Sequence, residues 1–600
     1  MANGQVINRF NKYLEDSVKI SNRKLINNLF QQAKSSIIKT PDTVSVDIFV
    51  NGKSEAPYLD FEGRIIRHIT IEALGFERTF TDTATRHETF TGKIANSIHT
   101  NTREFVVRNS LFIKENTPVN AFKIADNERY LRSLDYIHDA RILVKKIPGN
   151  PDSVDILVVT KDFFTISGDG AINSIDHINA RVIDDNVAGM GQSVVVTGLY
   201  DKNRSPNSSY GASYSKNNIG NSFVNATVGY SLMNISNYTH EEEATEFFSV
   251  DRPLVSPYSR FAGGFTVSNN KGTNNYHLAD SQYFVNSYSY LDGWIGYNLG
   301  INKLTATNNT IRDRRFLSVR YFHYDFTQVP YQVGKNFDPV FNNKTGVLTS
   351  LTFFRQDYFK TQYIYGFGTT EDLPYGYNIS VTTGFIKQLS LDRPYVGINA
   401  QRYIATQHGD FLQLYARAGG YYDQNHVQDL SFMIGGTAYS RLFFIHQTKI
   451  RQYILFNYAS VYRPVTSAPL RIDNAYGIRE FLSDSAYGSR RITLQLETPF
   501  YLKYKLLGFQ FAPFPYVDLS LLQPVNQSFN KVSLYTGVGG GVRTRNENLV
   551  FGTIELRAFY YPVTPDGVRG FKIILNSELR YRYNSNFIKE PDYVQLNIEQ

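Results

Sequence analysis

The chain has 600 residues, of which 42% are hydrophobic, with a mean hydropathy of −0.31, a formal net charge of +8 and an isoelectric point near 9.1. That length requires several domains, or one large sheet-based structure with a smaller attachment. The sequence excludes a helix-spanning membrane protein, because it has no run of about 18 apolar residues, and its dispersed basic residues, which form no run, argue against a nucleic-acid partner. The absence of cysteine fits an exported protein that needs no disulfide staple. Tyr 43, Phe 43 and a single Trp suit the aromatic girdles of a membrane barrel as well as ordinary strand propensity.

In residues 1–62, Ile7, Phe10, Leu14, Val18, Leu25 and Leu29 recur at helical spacing among polar residues and predict two short helices. An extended piece, Val44 to Val50, and an Asn51-Gly52 turn follow. A helical extension packed on its own domain is the simpler reading; an arm that docks an accessory protein is the alternative. Residues 63–162 read as a small soluble α/β domain of order βααββ. Ile65, Arg67, Ile69 and Ile71 alternate as a strand, and a short helix near Thr102 to Asn109 follows. A second helix from about Ala125 to Tyr136 turns Leu131 and Leu134 inward, and strands Ala140 to Ile147 and Val154 to Thr160 are joined by the turn Pro148 to Pro151.

From Phe163 onward come extended segments separated by turn clusters such as Asp184 to Gly191, Asn203 to Asn207 and Asn342 to Gly346. Near the end of the chain the alternation is strict. Ile492, Leu494 and Leu496 oppose Thr493, Gln495 and Glu497; Val550, Ile554, Leu556 and Ala558 oppose Thr553, Glu555 and Arg557. In the last segment Phe571, Ile573, Leu575 and Leu579 oppose Lys572, Asn576, Glu578, Arg580 and Arg582. A two-layer sandwich produces the same local pattern. Its repetition over most of a long chain favours a mainly β fold, a transmembrane antiparallel β-barrel over residues 163–583, with 584–600 as a tail. Membrane strands of about 9–11 residues give about 16 strands in this region, leaving some of the roughly twenty extended segments as loop hairpins. No fixed-period repeat argues for a propeller.

Strand parity also points to a site. Glu497, and Asp518 on the polar face of Phe509 to Leu521 with Tyr516 and Ser520, project into the lumen, where a buried arginine would need them. Gly537, Gly539 and Gly541 lie on the lumen face opposite Val532, Leu534, Val538 and Val542, leaving room for an inserted loop. The alternative is a set of ordinary lumen charges with glycines for barrel curvature. The first strand, Thr165 to Asn173, carries Gly168 and Gly170 and few large apolar groups. Its pairing with the last strand, Phe571 to Tyr583 around Leu575, should therefore open easily and offer an edge to an incoming strand. His240-Glu241-Glu242-Glu243 lacks the second His of a zinc protease, Gly537 to Gly541 has no following helix, and no Gly-x-Ser-x-Gly elbow occurs. We expect no enzyme activity, no cofactor and no metal.

Gly63 to Phe163 resembles a POTRA domain, a likeness carried by Glu128, Arg129, Leu131, Arg132, Leu134, Tyr136-Ile137 and Asp139-Ala140. The remainder resembles the surface-antigen barrel of the same superfamily, which includes BamA, TamA and the two-partner secretion transporters. Asp185, Asn186, Gly189 and Gly191 match that family's turn after the second strand, where glycines permit a tight reversal. The family folds an extracellular loop into the barrel with a Val/Ile-Arg-Gly-Phe/Tyr tip. Val568-Arg569-Gly570-Phe571 matches letter for letter, whereas Gly477-Ile478-Arg479-Glu480-Phe481 has Glu where Gly is usual. The family architecture places five strands after the tip, which selects Arg479 and Phe481, with Glu497 and Asp518 as the arginine's partners. The resemblance implies a single-POTRA barrel of the bacterial outer membrane, with its N-terminal domain in the periplasm, that inserts or translocates polypeptides. Its partners would be membrane lipid and client polypeptides received at the POTRA or barrel edge. A passive or substrate-specific secretion channel, and a structural anchor docking a periplasmic or surface partner through residues 1–62, are the alternatives. No apolar leader follows Met1, so such a chain is expected to be the mature form with its signal removed.

Overall fold

The computed structural model describes residues 51–74, 100–163, 165–174, 177–234, 242–279, 283–299, 312–331, 333, 338, 340–364, 366–481, 483, 486–506, 509–525, 527, 531–546, 553–565, 570–579 and 587–597. The helices expected before residue 50 lie outside these residues, as do His240-Glu241 and Val568-Arg569.

The order βααββ is present in the small domain. Strand Asn150–Asp162 is central, parallel to Ile65–Leu74 and antiparallel to Ile137–Ile147. Helices Glu104–Asn109 and Ala121–Ser133 contribute to a core that includes Ile66, Val107, Ile124, Leu131, Ile142 and Val154. The longer helix begins at Ala121 rather than near Ala125, because the Asn120 side chain caps it by accepting from the Lys123 amide at 2.9 Å. It stops at Ser133, since Leu134 is already extended, and Tyr136 is left to pack in the core. The Asn51-Gly52 pair is not a turn: Gly52 and Lys53 run extended and pair with Lys360 and Phe359 of the larger sheet. Tyr58 then enters the small-domain core, its hydroxyl donating to Glu128 at 2.5 Å.

The larger sheet has 23 strands, of which Gly52–Lys53, Leu470–Arg471 and Lys505–Leu506 are two-residue attachments. The other twenty form an antiparallel ring, in which the last strand, Phe571–Leu579, lies against the first, Ile166–Ser174. Twenty strands rather than about sixteen fit among the described residues because the turns consume less chain than expected. Gln424 and Asn425, both at positive φ, make a two-residue reversal between Asp423 and His426, and other segments expected as loop hairpins are full staves. The ring is uneven. Strands from Phe261 to Tyr439 have 13 to 18 residues, whereas those flanking the closing pair, His177–Asp184 and Thr553–Tyr560, have 8.

Burial separates barrel from sandwich. In strand Tyr487–Glu497 it is Arg491, Thr493, Gln495 and Glu497 that are buried, while Leu556 and Leu575 on the last two staves are 50% and 58% exposed. A sandwich would bury the apolar face; an inverted pattern on a closed ring belongs to a membrane-spanning barrel with lipid outside and a polar lumen. No helix among the described residues is long and apolar enough to cross a membrane. The small domain covers one end of the ring, touching the turns near Asn186, Asn218 and Val255.

Candidate functional site

Residues 463–486 connect strands Tyr453–Tyr462 and Tyr487–Glu497 at the end opposite the small domain, and those of them that are described fold into the lumen. Ile472, Ile478 and Phe481 are buried there against Phe514, Tyr516, Phe559 and Tyr561. The Phe481 ring meets Tyr561 edge-on at 5.1 Å. Five barrel strands follow this loop, ending with Phe571–Leu579.

The arginine expected at the tip meets both expected carboxylates. Arg479 Nη2 lies 2.6 Å from Asp518 Oδ1, and its Nη1 lies 2.6 Å from Glu497 Oε2. The Arg479 amide also donates to Asp518 at 3.1 Å, and Tyr561 Oη donates to the Arg479 carbonyl at 2.9 Å. The cluster extends further than parity alone indicates. Arg543 contacts Glu497 and Glu555, each at 2.6 Å, and Arg557 contacts the same two carboxylates at 3.3 and 2.9 Å. Three guanidiniums thus face three carboxylates, so each buried charge has an opposite partner. Aromatic faces complete the packing: Arg543 lies 4.3 Å from the Phe514 ring centroid and Arg479 4.8 Å from that of Tyr516.

The three glycines act in two ways. A Cβ on Gly537 would come within 2.8 Å of Ile478 Cγ2, so this glycine does admit the loop. On Gly539 and Gly541 a Cβ would meet Tyr516 Oη and Phe514 Cζ, each at 2.6 Å, so these positions seat the rings beneath the guanidiniums. Within the loop, a Cβ on Gly477 would lie 1.9 Å from the Ile472 carbonyl oxygen. Glu480 has φ of +57°, the region where glycine is unstrained, which accounts for the glycine usual at that place in the resembled motif. Its carboxylate lies 3.1 Å from Lys572 Nζ.

The turn residues lie at the other end, between the barrel and the small domain. Asn186 donates to Thr102 Oγ1 at 2.8 Å and accepts from the Gly191 amide at 2.6 Å. Gly189 and Gly191 have φ of +70° and +64°, and a Cβ on Gly189 would fall 2.3 Å from the Asn101 carbonyl oxygen. Gly168 and Gly170 belong to the first strand, facing Val182 and Ala180, and Leu575 belongs to the last, facing Leu556. Each of these two closing strands has 9 residues. Glu243 sits at a strand end, where Tyr288 Oη donates to it at 3.3 Å, and Gly537 to Gly541 stay within a strand.

Parity on the barrel strands gave no view of the charged junction beneath the barrel. Helix Ala121–Ser133 presents Asp126, Glu128 and Arg132 to the rim. Asp126 pairs with Arg312 at 3.0 Å, Arg132 with Asp372 at 2.6 Å, and Glu128 with Lys360. Arg129 Nη2 donates to the Val255 carbonyl at 2.7 Å. Burial works against the Glu128 charge, but Lys360 and Arg132 outweigh it and hold that carboxyl at about 2. Burial pushes Asp139 up to about 6 in spite of Arg132 and Arg141. The resemblance marks Glu128, Arg129 and Arg132 but not what they touch.

No family model matches the chain, and no curated protein matches it. Among solved structures it is similar to CdiB from Acinetobacter baumannii, with 11% identity, a TM-score of 0.42 and coverage of 85% of this chain and 74% of that one. It is also similar to BamA from Haemophilus ducreyi lacking POTRA domains 1–3, with 13% identity, a TM-score of 0.31 and coverage of 85% and 84% respectively. For CdiB from Escherichia coli the identity is 8%, the TM-score 0.38 and the coverage 93% and 97%.

Proposed function

We propose that this barrel resides in the bacterial outer membrane and inserts or translocates polypeptides, with the small domain serving as a single periplasmic POTRA unit. The observation that carries this reading is the closing pair. Its two 9-residue strands complete a ring whose opposite wall has strands of up to 18 residues. In lipid every backbone group must be paired, so a ring opens where the fewest pairs are lost. Gly168 and Gly170 on the first strand offer no side chains for cross-strand packing. A parted edge would template an incoming strand, and the outer strands of the small-domain sheet could receive extended clients in the same manner. No catalytic group, cofactor or metal takes part in this proposal.

The test uses the cysteine-free background. Leu575→Cys is combined with a cysteine at Ala171 or its neighbours, and the pair that crosslinks defines the register. Insertion of a client barrel into lipid vesicles should be lost in the oxidised form and restored by reduction. Full activity with the closing pair locked would refute the proposal. A passive or substrate-specific secretion channel is the second reading, favoured by a lumen cavity of about 840 Å³; it requires ion conductance that the same lock leaves unchanged.

A further inference from the structure

Residues 587–597 follow the last strand, which ends on the small-domain side, and they cross the lumen to the other end. Phe587 stacks on Tyr403 with ring centroids 4.8 Å apart, and Leu596 packs with Leu470 and Tyr476 of the inserted loop. The segment forms no strand and joins no sheet, so individual wall contacts hold it rather than a ladder. Asp592 Oδ1 lies 3.0 Å from Arg320 Nη1. Lys344 Nζ donates to Tyr593 Oη at 2.8 Å, and Tyr395 Oη accepts from the Val594 amide at 2.8 Å. A Cβ on Gly419 would lie 3.1 Å from Val594 Cγ2, so the wall is recessed where the segment passes. At its far end Asn597 Oδ1 accepts from the Arg471 amide at 3.0 Å, tying the segment to the loop that carries Arg479.

We propose that the lumen wall is a binding site for an extended peptide and that residues 587–597 are its removable internal ligand, a plug recognised by an acid followed by an aromatic, Asp592-Tyr593. Two features make it removable. Arg320 also pairs with Asp292 at 2.9 Å, so the main cationic contact keeps a carboxylate partner when the segment leaves. The cavity of about 840 Å³ is lined on one side by wall residues such as Ser380 and Asn399 and on the other by the segment itself, which gives it space to move. This inference concerns how the lumen is closed and goes beyond the proposed function, since it holds for an insertase and a channel alike.

The experiment compares the full chain with a variant lacking residues 587–600, in lipid bilayers. Deletion should raise single-channel conductance several-fold, and a synthetic peptide of residues 587–597 added to the small-domain side should lower it again. The same peptide with Asp592→Lys and Tyr593→Ala should not. Should the deletion fail to fold, the full-length Asp592→Asn/Tyr593→Ala variant is used with Ser380→Cys, the only cysteine in that chain. Its labelling by a membrane-impermeant thiol reagent should be several-fold faster than in a chain carrying Ser380→Cys alone. Unchanged conductance after deletion, failure of the peptide to reclose the pore, or unchanged labelling would each overturn the proposal, whether or not client insertion survives.

Discussion

Two buried charge clusters, one inside the lumen and one at the junction with the small domain, are wired differently. In the lumen cluster, Glu497 is shared by Arg479, Arg543 and Arg557, whereas Asp518 relies for its ion pair on Arg479. Removing Arg479 therefore leaves Glu497 with two cations and deprives Asp518, which is fully buried, of its ion partner. The wider network therefore limits the damage to one carboxylate. At the junction, three ion pairs (Asp126 with Arg312, Glu128 with Lys360, Arg132 with Asp372) each bridge the small domain and the barrel. One cluster holds a loop inside a single sheet, and the other fastens two domains.

The largest effect should come from the junction. Arg132→Ala strips Asp372 of its guanidinium and weakens the hold on Glu128, at a cost of about 3–5 kcal/mol for a broken buried pair. The small domain should loosen, read as faster hydrogen exchange at Ala121–Ser133, while the barrel stays heat-modifiable. Arg479→Ala should cost at or below the lower end of that range of about 3–5 kcal/mol, because the Arg479 side chain is 18% exposed and Glu497 keeps two partners. Protease should then cut within 463–486, and Arg479→Lys should recover only part of the protection, since an ammonium cannot bridge two carboxylates as a planar guanidinium does.

The junction should also respond to pH, in two windows. Glu128 sits at about 2 in the folded chain against an ordinary 4.5, so its contribution is full above 4.5 and is lost as pH falls toward 2. Asp139 sits at about 6 against 3.8, so the folded form holds a proton that the unfolded chain releases, and stability declines as pH rises from 3.8 to 6. Asp139→Asn should abolish the second decline and leave the first, as read from small-domain exchange across this range. The smallest effect belongs to the loop backbone. Glu480→Gly should stabilise the loop by about 1 kcal/mol by relieving a left-handed non-glycine residue, offset slightly by the loss of its exposed pair with Lys572. Slower proteolysis at 463–486 checks it.

Glu497 and Asp518 were legible because the period of a strand fixes which side chains share a face, whereas Arg479, in a loop, was reached only through the resemblance and the five strands that follow it. Glu555 and Arg557 were visible on the same face, but their link to Arg543 depends on register between adjacent staves, which pairs Arg543 with Glu555 and Gly541 with Arg557. No single-strand pattern contains register. The strand total was missed for a related reason: a two-residue reversal such as Gln424-Asn425 leaves little trace, so chain assigned to loops belonged to staves. Residues 587–597 have no period, and a segment held by scattered contacts with Arg320, Lys344 and Tyr395 gives no sign in sequence of where it runs.

The most direct test of the two-lock account is a parallel limited-proteolysis map of Arg479→Ala and Arg132→Ala in lipid. New cuts should fall within 463–486 only in the first variant and at the small-domain junction only in the second, with the barrel fragment intact in both. Cuts at both places in either variant, or a silent Arg479→Ala, would contradict it.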